Sequence, residues 1–298
     1  MNQTVLHATP SWPDVLVAQL HALSIGLRMP ARITLAVLVA VSLLVGVEIV
    51  TGDELFHFHP EHSTLPGLIG LVLPAVVWRH EDRFGPAFLW TLPVDRARHA
   101  LLKVLAGWIW LIGGVALFVL WLLAVTLASG VTPFTEETRS VLPSFSYGVT
   151  FEPSAIQHVR WVPEPLLWLV PFTSATGTYL LASALALGSR YPLRWIAGSI
   201  PAVFLVLFVV SDLRNLGPNG VDRMLNALVN GPYGLDALLT ARTESIQVAA
   251  ALTTGDRVVV WSGLPNPGEW AIATLLWSGA GLVALAAAAA RHREGRRN

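Results

Sequence analysis

Six apolar stretches fill most of this 298-residue chain, and they limit what the chain can fold into. A helix needs about 20 apolar residues to cross a bilayer core of about 30 Å. Most of the stretches meet that length, and only 13% of the residues are charged, against about 25% in soluble domains. We therefore predict an all-α polytopic membrane protein, a single transmembrane domain over residues 1–298 with spans at about 33–50, 65–78, 101–128, 166–188, 193–210 and 270–290.

The charged residues between these stretches are sorted by sign. One alternating set of segments holds 13 of the 19 basic residues and 5 acids, whereas the other set holds 6 basic residues and 14 acids. Because basic loops stay in the cytoplasm, the basic set predicts that both termini are cytoplasmic. Two cytoplasmic termini require an even number of spans, and six satisfies this condition.

Residues 12–29 predict an amphipathic helix that lies on the inner membrane surface and ends where Pro30 breaks it. A soluble core helix is the alternative, but we expect no soluble domain on which it can pack. The helix would place its apolar stripe at the headgroup boundary. At 100° per residue, that stripe consists of Trp12, Leu16, Leu20, Leu23 and Leu27.

The second span is the shortest. Residues 65–78 would be about 21 Å long at 1.5 Å per residue, and Pro66 and Pro74 interrupt them. We keep this span because the sorting of charge between the two sides would otherwise collapse. The third span begins at Lys103, which we expect to snorkel to the inner surface.

Two outer segments join the later spans. The loop at 130–164 shows no obvious core of its own, whereas the large segment at 211–269 is too apolar for a plain linker. Within it, residues 221–229 and 235–252 have helical spacing and 257–261 are strand-like. We expect helices that dip partly into the outer leaflet. The 12 tryptophans cluster near the ends of the spans, which is typical of an interfacial aromatic belt.

Motifs for catalysis are missing from the sequence. It contains no P-loop G-x-x-x-x-G-K-[ST], no H-E-x-x-H and no G-x-S-x-G, so we expect no ATP hydrolysis by this chain itself. There is no cysteine for thiolate metal sites. In the outer loop, His57, His59, His62 and Glu61 are zinc-ligand types, but their spacing matches no standard site and a solvated loop is favoured.

The inner loop at 79–103 is the most informative segment. It mixes charges with apolar side chains on the predicted cytoplasmic face, and such rimmed apolar groups usually mark a binding surface. A loop that skims the membrane is the alternative. The residues we expect to contact a partner are Glu81, Arg83, Phe84, Phe88 and Trp90.

This loop resembles the one after the second span in the integral-membrane subunits of ATP-binding-cassette exporters of the type-2 class. That family shows an acid, a glycine, a Leu-Pro-Val-x-Arg turn and a lysine that opens the third span. The matching residues are Glu81, Gly85, Leu92, Pro93, Val94, Arg96 and Lys103. The motif covers about 25 residues, and the surface helix, the six spans and the outer segment before the last span extend the likeness in architecture. Where the family usually has Gly-Thr, this chain has Gly85-Pro86.

The resemblance implies a permease that works with a separate cytoplasmic P-loop ATPase, usually as two permeases and two ATPases. ATP and Mg²⁺ would then be bound by the ATPase, with no cofactor in this chain. The expected location is the inner membrane of a bacterial cell, and no nucleic-acid partner is expected. Because no charged residue lies deep in the spans, the cargo is expected to be amphipathic or lipid-like.

Two other functions compete with the exporter. One is a membrane scaffold or sensor that transports nothing. The other is a membrane-embedded, metal-dependent enzyme that uses the outer histidines and Glu61. A shared fold does not choose among functions, so the three are separated by experiment.

Overall fold

The computed structural model describes residues 11–51, 63–78, 96–130, 134, 136–141, 156–189, 224, 227–229, 231–241, 245–249, 257–261 and 263–290. The described part is mostly helical. Its helices are α1 (Trp12–Thr51), α2 (Thr64–Val77), α3 (Arg96–Ala128), α4 (Val170–Gly188, preceded by the 3₁₀ turn Pro165–Leu169), α5 (Leu235–Thr240) and α6 (Pro267–Ala290). Its strands are β1 (Glu137–Val141), β2 (Gln157–Trp161), β3 (Ser245–Ala249) and β4 (Arg257–Trp261).

Four helical segments in the described part of the chain are long and apolar enough to cross a membrane. They are Trp12–Leu44, Ala97–Ala128, Pro165–Gly188 and Pro267–Ala290, and each contains or overlaps a predicted span. Helix α2 has 14 residues, as expected for the short second span. The fifth predicted span, 193–210, lies outside the described residues. Several of these helices could therefore span a bilayer, which indicates a membrane protein.

Helix α1 corrects the prediction that Pro30 separates a surface helix from the first span. It is one continuous helix of 40 residues with Pro30 inside it. A proline removes one i→i−4 hydrogen bond and crowds the carbonyl of residue i−4, here that of Gly26. The remaining hydrogen bonds hold the helix together on either side of this position.

Helix α4 lies at the centre of the bundle and packs against α2, α3, α5 and α6. Small residues allow α2 to approach it closely. A Cβ at Gly70 would collide with the carbonyl oxygen of Ala175. The hydroxyl of Thr178 donates a 2.8 Å hydrogen bond to the Gly67 carbonyl, and Ser174 donates to the Ser63 carbonyl at 3.1 Å. Close backbone approach of this kind is how helices associate where water provides no driving force.

Side-chain contacts fix the directions of the long helices. Trp108 of α3 bonds Thr176 of α4, whereas the earlier Val104 accepts from the later Tyr179, so α3 and α4 are antiparallel. Helix α6 runs parallel to α4, because Trp270 near its start bonds Thr173. Near its end, Ala288 packs on Gly188.

The bundle thus has two distinct ends. We call the end where α4 and α6 begin the sheet end, and the end where α3 begins and α4 and α6 finish the loop end. Helix α1 starts at the loop end, since Trp12 contacts Arg98. The chain leaves α4 at the loop end and enters α6 at the sheet end.

The strands form one four-stranded sheet in the order β2-β1-β4-β3. Two antiparallel hairpins supply it, and β1 joins them by lying parallel to β4, with Val141 opposite Trp261. Strand β4 confirms the strand predicted at 257–261. Strand β3 shows that the helical spacing over 235–252 is misleading, because among the described residues of this range only Leu235–Thr240 is helical and residues 245–249 form a strand.

Candidate functional site

Most residues of the predicted partner-binding loop lie outside the described part of the chain. These are the contact residues Glu81, Arg83, Phe84, Phe88 and Trp90 and the motif residues Gly85, Leu92, Pro93 and Val94. Arg96 begins α3, and Lys103 lies in its second turn. The structure therefore describes the two flanks of the loop, at Trp78 and at 96–103.

A cation–π contact joins these two flanks. Trp78 ends α2, where its backbone N–H donates to the Pro74 carbonyl at 3.0 Å, and its ring is 2% exposed. The Lys103 ammonium nitrogen lies 5.0 Å from the centre of that ring. Lys103 is only 6% exposed, so it packs inside the protein and the expectation that it snorkels outward is wrong. A desolvated contact of this type contributes about 2 kcal/mol.

A second cation–π contact ties the start of α1 to the same region. The guanidinium carbon of Arg98 lies 4.3 Å from the centre of the Trp12 ring. Trp12 is 56% exposed, so the contact contributes about 0.5–1 kcal/mol. Basic residues near a helix N-terminus oppose the helix dipole, and the first turn of α3 contains no acid. The electron-rich faces of the Trp12 and Trp78 rings offset that repulsion.

The apolar stripe of α1 packs on the protein's own core. Leu23 is buried in the main hydrophobic cluster, and Leu16, Leu20 and Leu27 pack against that cluster. The indole N–H of Trp110 donates to the Leu20 carbonyl at 3.2 Å. The stripe thus packs on the helical bundle, with α3 as a neighbour, rather than on a soluble domain. Its placement at the headgroup boundary stays a prediction. The start of α1, the end of α2 and the start of α3 form one packed unit beside the loop, which we call the loop base.

A buried tyrosine connects the loop base to the central helix. The hydroxyl of Tyr179 donates to the Val104 carbonyl at 2.8 Å, one residue beyond Lys103. A Cβ at Gly107 would collide with that hydroxyl, so only glycine gives the tyrosine this position. The sequence offered no sign of this contact, because it depends on which faces of two distant helices meet.

Several tryptophans also make hydrogen bonds between segments, which an interfacial aromatic belt does not require. Among the described residues, these five indole N–H groups each donate to a partner on a different element or segment. The five bonds are Trp108 to Thr176, Trp110 to Leu20, Trp121 to Ser42, Trp270 to Thr173 and Trp277 to Tyr233. Buried indoles generally find such partners.

The sheet end is stabilised by aromatic stacking. The Trp161 and Trp261 rings meet edge to face with centroids 5.4 Å apart. The guanidinium carbon of Arg139 lies 4.5 Å from the centre of the Trp261 ring. Trp161 also packs against the small cluster around Leu167 and Trp270, which fixes the sheet to the beginnings of α4 and α6.

The described residues contain no group of three His, Asp or Glu side chains placed to hold a metal ion, and the loop with His57, His59, Glu61 and His62 lies outside them. Within the described part, the loop base is the arrangement with the clearest functional potential, because it links three helices to the flanks of the predicted partner-binding loop. Protein-family models, curated proteins and solved structures give no match to this chain.

Proposed function

We propose that this chain is the membrane-spanning permease subunit of an ATP-binding-cassette exporter of the type-2 class. The observation that carries the proposal is the loop at 79–103, whose sequence resembles the ATPase-contacting loop of that family. In support, Trp78 and Lys103 hold the flanks of this loop together. Because its two flanks are joined, the loop can transmit a movement of a bound partner to both α2 and α3.

The helix directions support the proposed topology of six spans with both termini in the cytoplasm. Helices α1 and α3 run from the loop end, whereas α2, α4 and α6 run toward it. The chain after α4 has to return to the sheet end before α6 begins, and the apolar segment 193–210 is suited to that crossing. The described chain then begins and ends on the loop-end side.

The proposed mechanism starts at the loop base. Closure of an ATPase pair would push on Glu81–Trp90, and the contacts of Trp78, Lys103 and Arg98 would carry the movement into α1, α2 and α3. Tyr179 would pass it on to α4. Such a cycle needs two conformations and a nucleotide that prefers one of them.

The cargo is proposed to be amphipathic or lipid-like. Helix α4 contains no charged residue, and the only one in α6 is Glu269 in its first turn. A transport path lined by these two helices would suit apolar groups of a cargo, because burying an unpaired charge is costly. ATP and Mg²⁺ would be held by the partner ATPase, and the complex is proposed to contain two permeases in a bacterial inner membrane.

Co-purification tests the proposal. The tagged chain is expected to bring down a P-loop ATPase from native membranes, and the double variant Glu81→Arg, Phe84→Asp is expected to lose it. Glu136→Arg is the matched control, because it reverses an exposed charge at the sheet end and should keep the partner bound. An ATPase retained by the double variant would place the docking site elsewhere.

A scaffold that transports nothing is separated by a second measurement on the same complex. In an exporter, added cargo is expected to stimulate ATP hydrolysis by the partner. A scaffold would bind the ATPase without that response.

A further inference from the structure

We propose that an apolar patch beside the outer sheet is immersed in the lipid of the neighbouring leaflet and holds the sheet against the membrane surface. The patch consists of Phe134, Val162, Leu166, Trp168 and Leu169. This inference follows from the apolar character of the surface and does not depend on the exporter assignment.

The 3₁₀ turn before α4 presents two opposite apolar faces. Leu167 is 2% exposed and packs with Val170 and Trp270 in the cluster under the sheet. Leu166 and Leu169 are 44% and 48% exposed. Side chains three residues apart eclipse each other in a 3₁₀ helix, so these two leucines share the outward face.

Phe134 adds to this surface from the loop after α3. Its ring centroid lies 6.1 Å from that of Trp168, and nearly half of the residue is exposed. Its backbone is left-handed, with φ 74°, a conformation that costs a bulky residue about 1–3 kcal/mol. This strained backbone places the Phe134 ring beside Trp168, and contact of the ring with lipid would offset the free-energy cost of the strain.

The patch is continuous with a candidate membrane span, which identifies lipid as the material that covers it. The turn runs without interruption into Pro165–Gly188, one of the apolar segments long enough to span a membrane. The neighbouring sheet surface is polar, since Gln157, His158 and Arg160 of β2 are exposed. An aromatic and aliphatic patch at the end of a span, below a polar strand, matches the boundary between acyl chains and headgroups.

Spin labelling tests this placement cleanly because the chain has no native cysteine. Leu166→Cys and Leu169→Cys would each carry a nitroxide in vesicles of phosphatidylcholine and phosphatidylglycerol. Both labels are expected to collide readily with oxygen and to show a several-fold loss of collisions with a water-soluble nickel chelate, relative to Gln157→Cys. Leu275→Cys, on the exposed face of α6, provides the lipid-facing reference.

Two outcomes would overturn the proposal. Nickel accessibility at positions 166 and 169 equal to that at 157 would place the patch in water. Shielding from both oxygen and nickel would mean that protein, such as a second copy of the chain, covers it. Because both leucines are exposed, we expect the cysteine variants to keep the fold, and an unchanged elution volume in detergent checks this.

Discussion

At the scale of single residues, polar contacts decide how the apolar helices are aligned. A composition rich in leucine, alanine and valine predicts that helices pack, but it does not predict which faces meet. Tyr179 and the indoles of Trp108 and Trp270 each donate a hydrogen bond to a group on another helix, and the Thr178 hydroxyl reaches the Gly67 carbonyl of α2 as well as carbonyls of its own helix. Because the partners on other helices lie many residues away in sequence, only the structure identifies them.

Gly107 and Tyr179 give a coupled pair of predictions. Gly107→Ala is expected to lower the free energy of unfolding by about 1–3 kcal/mol, because the new methyl group overpacks against the Tyr179 hydroxyl. Tyr179→Phe removes that hydroxyl and one hydrogen bond, with an expected loss of about 1 kcal/mol. In the double variant the two losses should not add. The measurement is thermal unfolding in detergent followed by tryptophan fluorescence.

Gly113→Ala is the control for this pair. A Cβ at Gly113 has no atom within 4 Å, and alanine favours the helix over glycine by about 1 kcal/mol. Its unfolding temperature should stay the same or rise. If the losses of unfolding free energy in Gly107→Ala and Tyr179→Phe added strictly, the new methyl group at position 107 would not meet the Tyr179 hydroxyl.

At the scale of elements, the sequence predicts the apolar helices better than the four-stranded sheet. Long apolar runs specify membrane-spanning helices strongly, and α3, α4 and α6 closely follow their predicted ranges. Strands β1 and β2 are short and largely polar, and they are paired within a loop that showed no core in sequence. The sequence does not predict the continuity of α1, because a proline favours a helix end, whereas here the hydrogen bonds on both sides of Pro30 hold one helix together.

The contact between α2 and α4 predicts a difference between two neighbouring glycines. Gly70→Ala would meet the backbone oxygen of Ala175, which cannot rotate away, whereas Gly67→Ala would meet the flexible end of Leu239. We therefore expect Gly70→Ala to lower the unfolding temperature clearly more than Gly67→Ala. Limited proteolysis of the two variants in detergent should show the same order.

If Gly67→Ala lowered the unfolding temperature as much as Gly70→Ala or more, α2 and α4 would not cross at Gly70. Gly279→Ala serves as the reference, because a Cβ at Gly279 of α6 has no atom within 4 Å.

At the scale of the whole molecule, the two ends of the bundle are built differently. The loop end contains the loop base and the predicted partner-binding loop, and the sheet end contains the four strands. Charge sorting predicts which segments share a side of the membrane from the positions of arginine, lysine and the acids alone, and that sidedness stays a prediction. The contacts of the loop base depend on tertiary packing, so the sequence identified the loop but not how its flanks are joined.

Cysteine labelling in intact cells tests this arrangement. Thr138→Cys, exposed in β1, is expected to react with a membrane-impermeant maleimide, whereas Ser11→Cys, exposed before α1, should react only after the membrane is permeabilised. The absence of native cysteines removes background. The reverse pattern would put the predicted partner-binding loop outside the cell and would rule out a cytoplasmic ATPase partner.

The parallel pairing of β1 with β4 also sets an order for biogenesis. Strand β1 ends at Val141, and β4 begins at Arg257, so the ribosome makes more than a hundred residues between them. Until β4 arrives, the nascent chain presents one side of β1 without its strand partner, and such edges are prone to mispairing. A chaperone on the side of the membrane that holds the sheet would have its greatest effect in this interval, just before α6 is synthesised.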